Sequence, residues 1–172
     1  MEGVERSKVR LLPHNIEWEQ EFLQTKSELE AVWSKNIIDI QHVGSTSIRS
    51  ICAKPILDIA IKLKSILDMN VKSLEQQGYS YRGPQQGNSN WHLFVLRGDN
   101  QISLRHIHCY PKEENEFNQL VSFRDYLNTH SDEAEKYSKL KLELAKRYPD
   151  NRAAYTNGKD EFIKSIYLKL YI

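Results

Sequence analysis

The sequence predicts an α/β (α+β) protein: a mixed β-sheet flanked by helices, followed by a helical extension. Three observations lead there. Short β-rich runs alternate with helical runs up to residue 112. A Gly-Ser turn joins one such run to a strand carrying an acid. After Pro111 the chain becomes rich in Glu, Lys and Leu at helical spacing. Residues 1–112 are therefore expected to form the α/β core. Residues 113–172 are expected to form an extension packed on it as one unit.

The elements follow in order. Val9 to Leu12 is a short strand candidate closed by Pro13. Asn15 is an N-cap candidate, and Ile16 to Trp33 carries helical spacing through Trp18, Phe22, Leu29, Val32 and Trp33. Ile37 to Val43 is β-rich and ends at Gly44-Ser45-Thr46-Ser47, where turn and cap formers predict a helix start. Ile56 to Ile61 is the next strand. Ile66 to Gln77 fits a helix stopped by Gly78. Tyr79–Arg82, Trp91–Leu96 and Ile102–Tyr110 read as strands, the last two joined in a hairpin through Gly98-Asp99-Asn100. Glu113–His130, Ser131–Tyr148 and Tyr155–Tyr171 read as helices.

Composition narrows the function classes. The chain has 172 residues, 40% of them hydrophobic and 27% charged, with a formal net charge of +1. Those values suit a globular protein and argue against non-specific duplex binding, which draws on many Lys/Arg–phosphate contacts. Cys52 and Cys109 form no C-x-x-C pair and are expected to be reduced, buried and apolar. No apolar N-terminal segment or bilayer-length run is present, so a cytoplasmic protein with no membrane partner is expected. Oligomeric state is not readable.

The residues fit for chemistry cluster around His42-Val43-Gly44-Ser45-Thr46-Ser47 and Lys54-Pro55-Ile56-Leu57-Asp58. Gly44 lets a ligand approach the backbone. Ser45, Thr46 and Ser47 bring hydroxyls, and a helix starting there would aim N–H groups at a phosphate. The same four residues also serve simply to cap a helix. Asp58 suits a divalent ion such as Mg²⁺. If the strand is extended, Asp58 shares a face with Ile56 and Ala60, while Leu57, Ile59 and Ile61 face the core. A two-metal site would want a second acid at position 60, where this chain has Ala60.

His106 and His108 share one face of the last strand at period two. With Asp58 they make a two-His, one-carboxylate set that suits a transition metal, and His42 is a candidate to join it or act as base. Hydrogen bonding within the sheet is the other use of such histidines. Arg82, Arg97, Arg105 and Lys54 are candidate phosphate contacts or plain surface charges. Phe123, Tyr126, Leu127, Tyr137 and Leu140 form an aromatic-aliphatic stripe expected in the core. Lys136 to Lys141 is expected to be a solvated face.

His42-Val43-Gly44-Ser45-Thr46-Ser47-Ile48 with Ala53-Lys54-Pro55-Ile56-Leu57-Asp58-Ile59 resembles the signature block of the GrpB family. Gly78-Tyr79 with Tyr81-Arg82-Gly83, Arg105-His106-Ile107-His108, Phe123-Arg124-Asp125-Tyr126-Leu127, and Tyr155-Thr156 with Lys159, Phe162 and Ile163 extend the resemblance in order along the chain. It implies the nucleotidyltransferase superfamily fold, with a nucleotide or nucleotide-like molecule and Mg²⁺ or Mn²⁺ at the Gly-Ser turn and acid strand. In that role Asp58, His106 and His108 hold metal, and Lys54, Arg82 or Arg124 neutralise charge. The resemblance leaves open nucleotidyl transfer, a silent nucleotide-binding module linked to coenzyme A metabolism, or a His/Asp metal-dependent phosphohydrolase. The chain departs from the family pattern at Arg49-Ser50, where Pro-Gly is usual. Ala60, common in the family, departs from the superfamily pattern.

Overall fold

A computed structural model describes residues 1–85 and 90–170. The elements are α1 (Glu17–Trp33), β1 (Ile37–Val43), β2 (Leu57–Leu63), α2 (Val71–Glu75), β3 (Tyr79–Pro84), β4 (His92–Arg97), β5 (Ser103–Pro111), α3 (Glu116–Thr129), α4 (Ser131–Arg147), α5 (Arg152–Asn157) and α6 (Asp160–Leu170). The five strands form one mixed sheet in the order β1-β2-β5-β4-β3. Among the described residues, every strand pair is antiparallel except β2–β5, which is parallel. That pairing brings residues almost fifty positions apart into register, Asp58 beside His106 and Ala60 beside His108.

Period-two alternation divides the sheet into two faces. Leu57, Ile59, Ile61 and Leu63 join Ile107, Cys109 and Phe94 in the main core, under Leu29 and Trp33 of α1 and Leu74 of α2. The opposite face carries Ala60 and Tyr110, which pack with Val43 and with Phe117 of α3. Ile48 and Ile51, in the connection before β2, pack against Leu127, Ala134, Tyr137 and Ile166 of the helical extension. Among the described residues no helix is long and apolar enough to cross a membrane.

Several expected elements come out differently. The Val9–Leu12 segment is not a strand; it contributes one bridge, Leu12 to Ala53. The helix expected from Ile66 is only Val71–Glu75, because Asn70 caps it by accepting from the Ser73 N–H. The helix expected after Gly44 is a single 3₁₀ turn, Ser45–Ser47. The last helix is two, broken at Gly158-Lys159, and Tyr171 lies outside the described residues. A Cβ on Gly158 would lie 2.4 Å from Leu144 Cδ2, so the break brings α5 tightly onto α4. Cys109 is buried, but Cys52 is only half-buried. Asn15 does serve α1, its Oδ1 accepting from the Glu17 N–H at 2.9 Å.

Lys141 overturns the solvated-face expectation for Lys136–Lys141. It stands four residues after Tyr137 and three before Leu144, on the buried stripe of α4. Lys136 and Lys139 do reach outward, to Glu133 and Glu135.

Candidate functional site

Two clefts flank the Gly44–Ser47 turn. The first, of about 440 Å³, lies between the Asp58 face of the sheet and the extension. Its lining includes Gly44, Ser45, Thr46, Lys54, Asp58, His106 and His108. Gly44 has φ 71°, and a Cβ there would stand 2.7 Å from Asp58 Oδ2. The turn thus presses backbone against the carboxylate, which only glycine permits.

Asp58 Oδ1 accepts from His106 Nδ1 at 3.0 Å and from His108 Nε2 at 3.3 Å. An ionised carboxylate only accepts, so both nitrogens carry their protons in this arrangement. Burial works to raise the Asp58 pKa. The two histidine hydrogen bonds outweigh it and hold the carboxyl far below the usual range. One donor atom from each of the three residues lies within 4.8 Å of the others. The two imidazoles and one carboxylate fit Mn²⁺ or another transition ion better than Mg²⁺, which prefers oxygen alone. Binding would displace the two imidazole protons.

The same cleft also carries cations. Lys54 and Lys159 both lie over the Tyr155 ring, 5.3 and 4.8 Å from its centroid, and Arg152 lines the same wall. Burial, with help from Arg152 and Lys159, pushes Lys54 down to about 7. Trp91 flanks the histidines, its ring 5.1 Å from that of His108. Arg152, Lys159 and Trp91 escaped sequence reasoning as site residues. Lys159 entered the sequence reading only through the family resemblance, and the break at Gly158-Lys159 that turns it inward is a finding of the structure.

The expected residues His42, Ser47, Arg82, Arg105 and Arg124 lie outside the first cleft. His42 pairs with Ile59 rather than Asp58, so it faces α1, where its ring stacks on Phe22 at 5.2 Å. It is outside the donor set, which removes it as a fourth ligand or as a base beside Asp58. Burial pushes it down to about 4, so it is neutral near pH 7. Arg124 lines the second cleft with His42 and Ser47, not the first. Arg82 is on β3, at the far edge of the sheet. Arg105, also weighed as a phosphate contact, lies on the α1 side and pairs with Glu28 at 3.4 Å. Arg49, at the departure from Pro-Gly, reaches Glu19 at 3.4 Å.

A family model described as GrpB protein matches residues 8–169. A glutamate-rich protein GrpB of Alkalihalophilus pseudofirmus is 34% identical, the match covering 96% of this chain and 98% of that protein. The UPF0157 protein YqkA of Bacillus subtilis is also 34% identical, but the match spans only 46% of its length. The crystal structure of the conserved protein GrpB from Enterococcus faecalis superposes with a TM-score of 0.84 at 29% identity, covering 93% of this chain and 96% of that one. Cid1 poly(U) polymerase with Mg 3'-dATP bound gives a TM-score of 0.53 at 11% identity, over 86% of this chain and 49% of Cid1. That likeness shows a shared nucleotidyltransferase-like fold.

Proposed function

The chain belongs to the GrpB family, and from that premise we propose a nucleotidyltransferase-like enzyme whose first cleft takes a divalent metal ion and a nucleotide or nucleotide-like molecule and passes a nucleotidyl group to an acceptor. The observation that carries this reading is the Asp58, His106 and His108 donor set, set against a turn whose side-chain-free Gly44 admits a ligand to the backbone. Cid1, which shares the fold, is described as binding MgGTP.

Each residue has a distinct task in this reading. Asp58, His106 and His108 hold the ion, which when bound polarises a phosphoryl oxygen. Gly44 offers its bare backbone to a phosphate, while the Ser45 hydroxyl is already hydrogen-bonded to Tyr137. Thr46 Oγ1 is likewise engaged, with His42 Nε2 at 3.0 Å and the Ile56 carbonyl at 3.4 Å. Lys54, Arg152 and Lys159 neutralise phosphate charge, most of all on a departing diphosphate. Trp91 walls the histidine end of the cleft and limits water access.

A second reading, a nucleotide-binding module without turnover, is favoured by Ala60. It is fully buried among Val43, Tyr110 and Phe117, where a second carboxylate would enter an apolar cluster. Among the described residues, one group of three side chains fit to hold a metal is present on this face. Calorimetric titration of ATP, GTP, CTP and UTP with Mn²⁺ or Mg²⁺ tests both readings. Binding is expected to require metal, to be tighter with Mn²⁺, and to vanish in Asp58→Ala. A well-folded wild type that bound neither metal nor nucleotide would overturn both. Tight binding without turnover over a panel of small-molecule and protein acceptors would select the second.

A further inference from the structure

The first cleft gathers three cations that no group of the protein neutralises. Lys54 comes from the segment before β2, Arg152 from the start of α5 and Lys159 from the break before α6. Among the described residues, none of the three side chains makes a hydrogen bond or an ion pair. The carboxylates on the same cleft are otherwise placed. Asp58 is held by His106 and His108, and Glu116 pairs with none of the three.

The two amines share one anchor. Lys54 Nζ and Lys159 Nζ both lie over the Tyr155 ring, and a ring face leaves their N–H groups free. Both side chains are half-buried. Neither nitrogen is among the fully enclosed atoms without a partner, as Lys141 Nζ is, so both amines open onto the cleft. Like charges gathered partly out of water are costly unless an anion joins them. The cluster therefore fits a phosphate, to which a guanidinium adds a two-pronged contact.

A guanidinium stays charged, whereas an amine can give up its proton. Burial first, then Arg152 and Lys159, push the Lys54 pKa down to about 7, and Asp58 works weakly the other way. Near neutral pH a large share of Lys54 is a free amine, its lone pair facing a phosphate-attracting cleft. A desolvated lysine beside other cations is an activated nucleophile.

We propose that Lys54 condenses with small phosphorylated aldehydes whose phosphate is held by Arg152 and Lys159. The Nζ lone pair attacks the carbonyl carbon and gives a carbinolamine. The carbonyl oxygen then leaves as water, taking the two amine protons, and a C=N bond joins Lys54 to the former aldehyde carbon. The step needs no oxidant, metal or nucleotide. It goes beyond nucleotidyl transfer and does not depend on it. The cleft volume, about 440 Å³, accommodates such a molecule.

Pyridoxal 5'-phosphate is the probe. Its imine absorbs visible light, and borohydride reduces the C=N bond to a stable secondary amine for peptide mapping. Wild-type protein is treated at neutral pH without metal, with pyridoxal, which lacks the phosphate, in parallel. Labelling is expected at Lys54, about tenfold or more faster than at an exposed lysine such as Lys139. Pyridoxal should react at Lys54 about tenfold more slowly, and Arg152→Gln should slow the phosphorylated probe to a similar degree, the scale of one charge-assisted contact. Lys54→Met should lose the fast adduct. Mapping on the wild type needs no variant, so it decides the matter even if Lys54→Met unfolds. The proposal is overturned if label spreads over surface lysines without preference for Lys54, if pyridoxal matches its phosphate at Lys54, or if folded Lys54→Met keeps the fast adduct. Nucleotide titration of untreated protein is read separately, so this proposal and nucleotidyl transfer fail independently.

Discussion

Gly44 shows how one residue can hold a site together. Its φ of 71° is in the left-handed region, and its missing Cβ is what lets the turn lie against Asp58. Gly44→Ala is expected to cost about 1–3 kcal/mol from backbone strain and the clash. The same change pushes the carboxylate away from the two histidines, so Mn²⁺ affinity should fall tenfold or more by calorimetry. Unchanged metal affinity in a destabilised protein would separate the turn from the donor set. This residue was legible in the sequence, because a glycine between a β-run and a Ser-Thr-Ser segment signals a tight turn. His42, only two positions earlier, was not. Its neighbours along the chain do not reveal which face of the sheet α1 covers.

Among the elements, α4 departs most from its surface reading. Lys141 is fully buried, and its Nζ has no hydrogen-bond partner among the described residues. It lies 5.0 Å from the Tyr137 ring centroid, a cation–π contact that offsets only part of the burial. Burial, with Lys159 and Lys54 nearby, pushes its pKa down to about 7 from an ordinary 10.5. The unfolded chain therefore binds a proton between those values that the folded chain does not, and stability rises with pH across that window. Lys54 contributes in the same direction. Lys141→Met should stabilise the protein at pH 7 by a few kcal/mol. It should also remove about one proton from the pH slope between 7 and 10, measured by urea denaturation. A destabilised Met variant would mean that the ammonium has a compensating partner. The Glu/Lys-rich sequence of α4 disguised this position, since single-sequence reading averages over a helix whose stripe is set by its neighbours.

At the scale of the molecule, the core and the extension share a hydrophobic cluster. Ile48 and Ile51 belong to the α/β part, and both are almost fully buried against α3, α4 and α6. Burying a side chain of that size stabilises by about 1.5–3 kcal/mol. Residues 1–112 and 113–172 are accordingly expected to unfold together, in one urea transition seen equally by tryptophan fluorescence and far-ultraviolet circular dichroism. Residues 1–112 expressed alone should lack a cooperative transition. Two separated transitions in the full chain would show independent units.

The sequence by itself determined what is periodic or punctuated. That covers the five strands to within two residues, the long helices α1, α3 and α4, the Gly44 turn, and the placement of His106 and His108 on one face of their strand. Those features follow from backbone geometry, which repeats every 2 or 3.6 residues whatever the rest of the chain does. The tertiary structure decided the rest. The parallel β2–β5 pairing set Asp58 beside both histidines. The packing of α1 turned His42 away from them. The folding back of α5 and α6 delivered Arg152 and Lys159 to the cleft. Each of these depends on contacts between residues far apart in the chain. Their energies come from burying apolar faces against one another, and local sequence periodicity carries no record of which faces will meet.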